Sequence, residues 1–392
     1  MALKFQRTGG KLKVFSIKSG RNTVLDYSNP HKEIEKDETI GRILPSVVSP
    51  CALGRTCENG TCIAPAILQR IMSHISEPMT KQPARIGYEV GGGSDLMTIR
   101  KRTGCDTDKC ILKVASDQRW ITLADAGIEE QLALKRVGPT NVELLNDAVI
   151  HSQLYAWMFR FPEFWAYNFN MLDFAEHAIV NGFVADHPDT LKTVDWHDLY
   201  YHDAPYPIGL GKTEAASLMM ANKRRHGVRT GACIINSDVS NGPGKHWMAL
   251  FVDLRGEKWT VEFFNSAAIA PESEWLVFID DTMVALRDII EKEKLLTTKV
   301  EPIFVDRVWH QHSKTECGVY SLFYIYSRLK GLSYEYFLAN PIPDQWMLEF
   351  RQHLFATDDG VVGKPFNFEE YANRVHVKWD IENITKKNQH TI

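Results

Sequence analysis

The chain has no long apolar run. Its N-terminus, Met1-Ala-Leu-Lys-Phe-Gln-Arg7, holds no stretch of signal-peptide length, and runs such as Trp275-Leu-Val-Phe-Ile279 are far too short to span a bilayer. No membrane span is therefore expected. There is no excess of charge either. Lys and Arg total 45 against 49 Asp and Glu, a net charge of −4, so no nucleic-acid requirement is evident. Cysteines are few and odd in number, seven in 392 residues, which argues against a disulfide scaffold in a chain without a secretion signal. Five of them, Cys51, Cys57, Cys62, Cys105 and Cys110, lie in the N-terminal part. Their spacings differ from the Cys-x-x-Cys pairs of common zinc sites, so ordinary reduced thiols are expected, with zinc or disulfides as the alternatives. The hydrophobic (44%) and charged (24%) shares are those of a globular protein, long enough for one large domain or two modest ones.

Gly138-Pro-Thr140 reads as a boundary. It divides the chain into an N-terminal accessory arm (1–138), a core (139–356) and a C-terminal tail (357–392). In the arm, Leu12 to Ile17 suggests a short strand. Pro65 to Ile75 suggests a helix with proline in its first turn. Gly91-Gly-Gly-Ser94 suggests a flexible loop, Cys105 to Val114 a short strand, and Ile121 to Lys135 a helix. In the core, Asn146 or Asp147 can cap a helix that Pro162 ends, with Ile150, Leu154, Trp157 and Met158 on its apolar face. The aromatic run Phe161 to Phe174 reads as core, or else as a groove wall. Thr213 to His226 reads as a helix, Gly231 to Ile235 as a buried strand, Pro271 to Leu296 as a long amphipathic helix and Pro302 to Val305 as a strand.

One stretch carries chemistry. In Gln311-His-Ser-Lys-Thr-Glu-Cys-Gly-Val-Tyr320, apolar spacing continues through Val319, Leu322, Phe323, Tyr326 and Leu329 to a stop at Gly331. Ser313 and Glu316 fit a capping box that would start the helix near Cys317. A cysteine in a first helical turn favours its thiolate, although a cysteine on a helix is ordinarily structural. A thiolate nucleophile needs a base, and the base an orienter. His246 opens the apolar run Trp247 to Asp253. Leu254 to Lys258 reads as a turn, and Trp259 to Phe264 as the return strand, ending at Asn265. Pairing of these strands would bring His246 beside Asn265. His310 and His312 are rival bases but lie too close to Cys317 in the chain.

The order His246, Asn265, Cys317, with Gly244-Lys-His-Trp247, Glu262-Phe-Phe-Asn-Ser266, Leu144-Leu-Asn-Asp147 and Gln311 six residues before Cys317, resembles the SUMO-specific and adenovirus-type cysteine proteases, and most of all those of large DNA viruses. The resemblance spans roughly residues 140 to 356. It implies an α+β, papain-related core, a mixed sheet flanked by helices with the nucleophile on a core helix. It also implies His246 as base, Asn265 as orienter, Gln311 as oxyanion-hole donor, and Trp247 as cover of a channel for small residues, hence cleavage after Gly-Gly or Ala-Gly. Leu144 stands where SUMO proteases carry a second Trp, which favours a viral structural polyprotein as substrate. The resemblance further implies a monomer without cofactor or metal, in the virion and host cytoplasm. A ubiquitin-like-modifier deconjugase and a catalytically idle capsid-associated protein are the alternatives. The Gly-Gly pairs at Gly9-Gly10 and Gly91-Gly92 read as turns, with self-cleavage as the sharper reading.

Overall fold

The computed structural model describes residues 5–8, 11–14, 50–53, 57, 60–75, 92–167, 171–173 and 227–357. The expected helix at 213–226 and the tail beyond 357 lie outside them. The chain divides into two compact units. One comprises Met1–Asp37 with His376–Ile392; its described part is an antiparallel hairpin, β1 (Phe5–Thr8) with β2 (Lys11–Val14). The other, Glu38–Val375, holds everything described below.

Its centre is a five-stranded mixed sheet. The order is β4 (Phe164–Ala166), β5 (Thr230–Asn236), β6 (Trp247–Asp253), β7 (Lys258–Phe264) and β8 (Lys299–Val305). The middle pairs β5–β6 and β6–β7 are antiparallel, and the outer pairs β4–β5 and β7–β8 are parallel. The residues of β5, β6 and β7 are nearly all buried because both faces are covered. Helix α6 (Ser273–Lys292) packs against β7 and β8, and α7 (Cys317–Leu329) against β5 and β6. Every residue of α7 is buried, which is why its apolar pattern continues around the helix. In the described part of the aromatic run, Phe164, Trp165 and Tyr167 are almost wholly buried and belong to the core. Helix α5 (Asp147–Arg160) is capped by Asn146, whose Oδ1 accepts from the Val149 N–H at 2.9 Å.

Among the described residues, four helices precede α5: α1 (Pro65–Ile75), α2 (Gly92–Thr103), α3 (Asp108–Asp117) and α4 (Leu123–Ala133). They enclose a separate cluster of buried side chains from Cys51 to Leu134, including Ile67, Ile71, Ile99 and Ile111. Three expectations fail here. Residues 105–114 are not a strand, because Thr107 caps a helix by accepting from the Cys110 N–H at 3.3 Å, and Ile111, Leu112 and Ala115 then share its buried side. The glycines from Gly92 do not form a loop but open α2, with Asp95 in the favourable first turn. The cysteines are not separate thiols either. The Sγ atoms of Cys51, Cys57 and Cys62 lie within bonding reach of one another, and Cys105 and Cys110 pair as a disulfide. A parallel ladder of β3 (Arg136–Val137) on β9 (Phe355–Ala356) joins this layer to α9 (Asp344–Leu354) and the sheet layer. The Lys135 ammonium adds a bond to the Gln352 carbonyl. Among the described residues no helix is long and apolar enough to cross a membrane.

Candidate active site

The hairpin β6–β7 does what its sequence suggests. His246 precedes β6, Asn265 follows β7, and His246 Nε2 lies 2.8 Å from Asn265 Oδ1. Asn265 is itself fixed: its Nδ2 donates to the Ile269 carbonyl at 3.0 Å, and its Oδ1 also accepts from the Ala267 N–H at 2.9 Å. An acceptor oxygen facing Nε2 selects the Nε2–H tautomer and leaves Nδ1 as the basic nitrogen. Cys317 opens α7, 3% exposed, and the backbone N–H of Trp247, the residue after His246, donates to its sulfur. His246, Asn265 and Cys317, the residues expected as base, orienter and nucleophile, are thus brought to one end of the sheet.

What registers helix against hairpin is a buried charge network. Glu262 on β7 is fully buried, and its carboxylate accepts from Arg328 Nε and Nη2, both at 2.8 Å, and from Tyr324 Oη at 2.7 Å. Arg328 Nη2 also reaches Asp253 Oδ2 at the end of β6, at 3.1 Å. One guanidinium on α7 therefore ties both strands that carry His246 and Asn265. Charge-assisted, bidentate bonds of this kind specify geometry as well as energy.

The nucleophile's own cap differs from expectation. Glu316 sits at the cap position but makes no capping bond; its fully buried carboxylate pairs instead with Arg351 on α9, at 2.9 Å to Oε1. Arg351 also donates to the carbonyls of Pro139 (3.2 Å) and Glu143 (2.7 Å). The thiolate expected from the helix position is not favoured at rest. Burial pushes the Cys317 thiol up, against the pull of the Trp247, Gly318 and Cys317 backbone N–H groups, and the Glu316 charge adds to the rise. Burial likewise holds His246 below its ordinary value, opposed by the Asn265 bond and the Glu272 carboxylate. Both shifts favour the neutral forms, thiol and imidazole, at rest.

Gln311 is buried beside the nucleophile's approach loop. Its Oε1 accepts from Ser266 Oγ at 2.7 Å and its Nε2 donates to the Ser313 carbonyl at 2.9 Å, so the amide is oriented and one of its two N–H donors is engaged. The rival histidines belong to the core. His310 is fully buried, accepts from the Ile342 N–H through Nδ1, and is pushed down to about 3 by burial; His312 stacks on Trp309 and is pushed down to about 4. Sequence reasoning missed Asp344. Its carboxylate accepts from the His312 N–H at 3.1 Å and lies 3.0 Å from Tyr320 Oη, and burial pushes it up to about 7. Only the fold brings this residue of α9 under the Gln311 loop.

The Trp247 indole Nε1 donates to the Leu145 carbonyl at 2.9 Å, which gives the Leu-Asn-Asp stretch a part in the site. Gly318 completes this corner. A Cβ there would stand 3.1 Å from Leu145 Cβ and 3.3 Å from Trp247 Cδ1. Leu144 is 62% exposed.

Comparison with known proteins shows the family. Residues 233–364 match the C-terminal catalytic domain of the Ulp1 protease family. The cysteine protease S273R of African swine fever virus is 32% identical over 301 residues, covering 74% of this chain and 98% of the relative. From another isolate of that virus, a SUMO-1 cysteine protease S273R is 31% identical over the same shares. The crystal structure of the pS273R protease of African swine fever virus superimposes with a TM-score of 0.56 at 26% identity, covering 81% of this chain and 99% of that one. With a mixed sheet, flanking helices and this similarity along almost the whole length of its relatives, the chain belongs to the Ulp1 protease family and is a cysteine protease.

Proposed function

We propose that this chain is a viral cysteine endopeptidase that cleaves structural polyproteins after small residues, of Gly-Gly-X type, during virion maturation. The observation that carries the reading is the 2.8 Å bond from His246 to Asn265 at the strand ends that also meet the Cys317 sulfur. In this mechanism His246 Nδ1 takes the thiol proton as Cys317 Sγ attacks the scissile carbonyl. The Gln311 Nε2–H left over from Ser313 and the Cys317 backbone N–H hold the oxyanion. The imidazolium gives its proton to the leaving amine, an acyl-enzyme remains, and water attacks it with His246 again as base. The protease core is residues 139–356. The arm, residues 1–138, supports substrate engagement, and the tail is 357–392. The enzyme acts as a monomer in the virion and the host cytoplasm.

Trp247, held by Leu145 over Gly318, is the roof of the channel before the scissile bond. Glycine, lacking Cβ, fits beneath such a roof without strain. Peptides with Gly-Gly before the cut are expected to turn over about 10- to 200-fold faster than those with Leu at either place, since overfilling a close-fitting site costs about 1–3 kcal/mol per position. Equal turnover of both overturns the channel. The substrate class is tested by incubating enzyme with a capsid precursor and with a ubiquitin-like conjugate. Faster cleavage of the conjugate would establish the deconjugase reading, which similarity to the SUMO-1 cysteine protease S273R favours.

The pH profile follows from the favoured neutral forms. His246 must be unprotonated to act as base, and burial depresses it, so the acid limb of kcat/KM should fall below about pH 6.5, the ordinary histidine value. Glu272 favours the imidazolium, and its Oε2 is buried without a hydrogen-bond partner. Glu272→Gln should therefore move the limb to lower pH while leaving the plateau rate near wild type. An upward move of the limb would reverse this assignment.

A further inference from the structure

We propose that Cys51, Cys57 and Cys62 together bind one zinc ion as a trithiolate, forming a metal staple in the helical layer that precedes the sheet. Three sulfurs converge on one point: each lies within 4.8 Å of the other two, with Cys51 and Cys62 buried and Cys57 partly so. A sulfur takes part in one disulfide at a time, so no pairing of three uses them all. A thiol left in contact with a disulfide would also attack it and exchange. A single thiophilic d10 cation, with Zn–S bonds of about 2.3 Å, engages all three at once. Cys105 and Cys110, by contrast, pair off with no sulfur left over.

The site is built from both sides. Cys51 is bridged to Leu134, with the Ala52 N–H donating to the Ala133 carbonyl at 2.8 Å. Cys62 is pinned by the buried Asp108 carboxylate, whose Oδ2 accepts its N–H at 2.7 Å and the Thr61 hydroxyl at 3.0 Å. The residues so tied come from opposite ends of the layer. That layer also has a reason to need a staple. Among the described residues, its buried cluster consists of isoleucine, leucine, alanine and cysteine, with no fully buried aromatic side chain. Small cores of this kind gain stability from a metal. Binding balances as three thiols plus Zn²⁺ giving a trithiolate complex and three released protons, with water in the fourth position. The site uses none of the residues assigned to peptide hydrolysis, so it stands or falls apart from that activity.

The test uses the full chain purified in reducing buffer, loaded with zinc and desalted. Elemental analysis should find about one zinc per chain, and Co²⁺ in place of zinc should give the thiolate charge-transfer and visible bands of a tetrahedral site. Cys57→Ser, a near-isosteric change at the partly exposed ligand, should lower retained zinc at least about tenfold with the circular dichroism spectrum unchanged, and Cys62→Ser should do the same. Cys317→Ala and Cys110→Ser should keep the metal. Zinc below about one-tenth per chain after loading overturns the proposal. So does retention of the metal in Cys57→Ser, or mass-spectrometric detection of a disulfide within the trio beside one alkylatable thiol in the protein as isolated.

Discussion

His246→Ala should lose peptide hydrolysis almost as completely as Cys317→Ala, on the order of 10⁶-fold in kcat, because nucleophile and base act as a unit and their losses do not add. Asn265→Ala should be milder, about 10⁴-fold, since the imidazole loses only its tautomer and aim. The double variant His246→Ala with Cys317→Ala should be no worse than either alone. A second readout separates chemistry from folding. Cys317 is buried and its thiol pushed up, so its thiolate forms at neutral pH chiefly when His246 removes the proton. Alkylation of Cys317 by a small reagent such as iodoacetamide should therefore slow in His246→Ala while alkylation of unfolded controls is unchanged. Near wild-type hydrolysis by His246→Ala would remove it as base. The alternatives His310 and His312 are poorly placed for the role: His310 is fully buried and His312 partly so, and burial favours the neutral ring in both.

Arg351→Met should destabilise the chain by about 3–5 kcal/mol, the scale for removing one partner of a buried ion pair. Glu316 and Arg351 are both essentially inaccessible. Without the guanidinium, Glu316 keeps its burial and loses its countercharge, so its carboxyl, already pushed up by burial, would take up a proton near neutral pH. The Pro139 and Glu143 carbonyls lose their donors at the same time. Denaturant midpoints of wild type, Arg351→Met and the double variant Glu316→Gln with Arg351→Met measure this, and the double variant should recover part of the loss. Arg351→Lys, which keeps the charge and loses the fork, should fall between. A single-variant loss under about 1 kcal/mol would show that the pair is solvent-relaxed and does not hold the nucleophile's cap.

The hairpin was legible because its information is local. Apolar runs of strand length, a turn ending in Gly256 with φ near +73°, and residues at both open ends suffice to bring His246 to Asn265. Helix α7 was legible from the same kind of pattern, as was α1 from its proline and spacing. Where local cues competed, they misled. Residues 105–114 contain apolar spacing compatible with a strand, and Thr107 decides for helix only once its side chain is seen to cap. The capping box at Ser313 and Glu316 was plausible by spacing, yet a guanidinium 35 residues away takes the carboxylate.

What the sequence by itself determined is that His246, Asn265 and Cys317 would stand at the ends of a hairpin and the start of a helix, because strand pairing and helix start are short-range properties of neighbouring side chains. Tertiary structure alone decided how they work. It buried Cys317 and His246 together, so that desolvation outweighs the helix dipole and favours the neutral forms at rest. It joined Glu262, Arg328 and Asp253 to fix the helix against the hairpin, set Asp344 beneath the Gln311 loop, and gathered three cysteines into one cluster. Each of these depends on burial and on partners distant in the chain, and the free energy of a charge, a thiol or an amide is set by what surrounds it in space, which no local pattern of residues encodes.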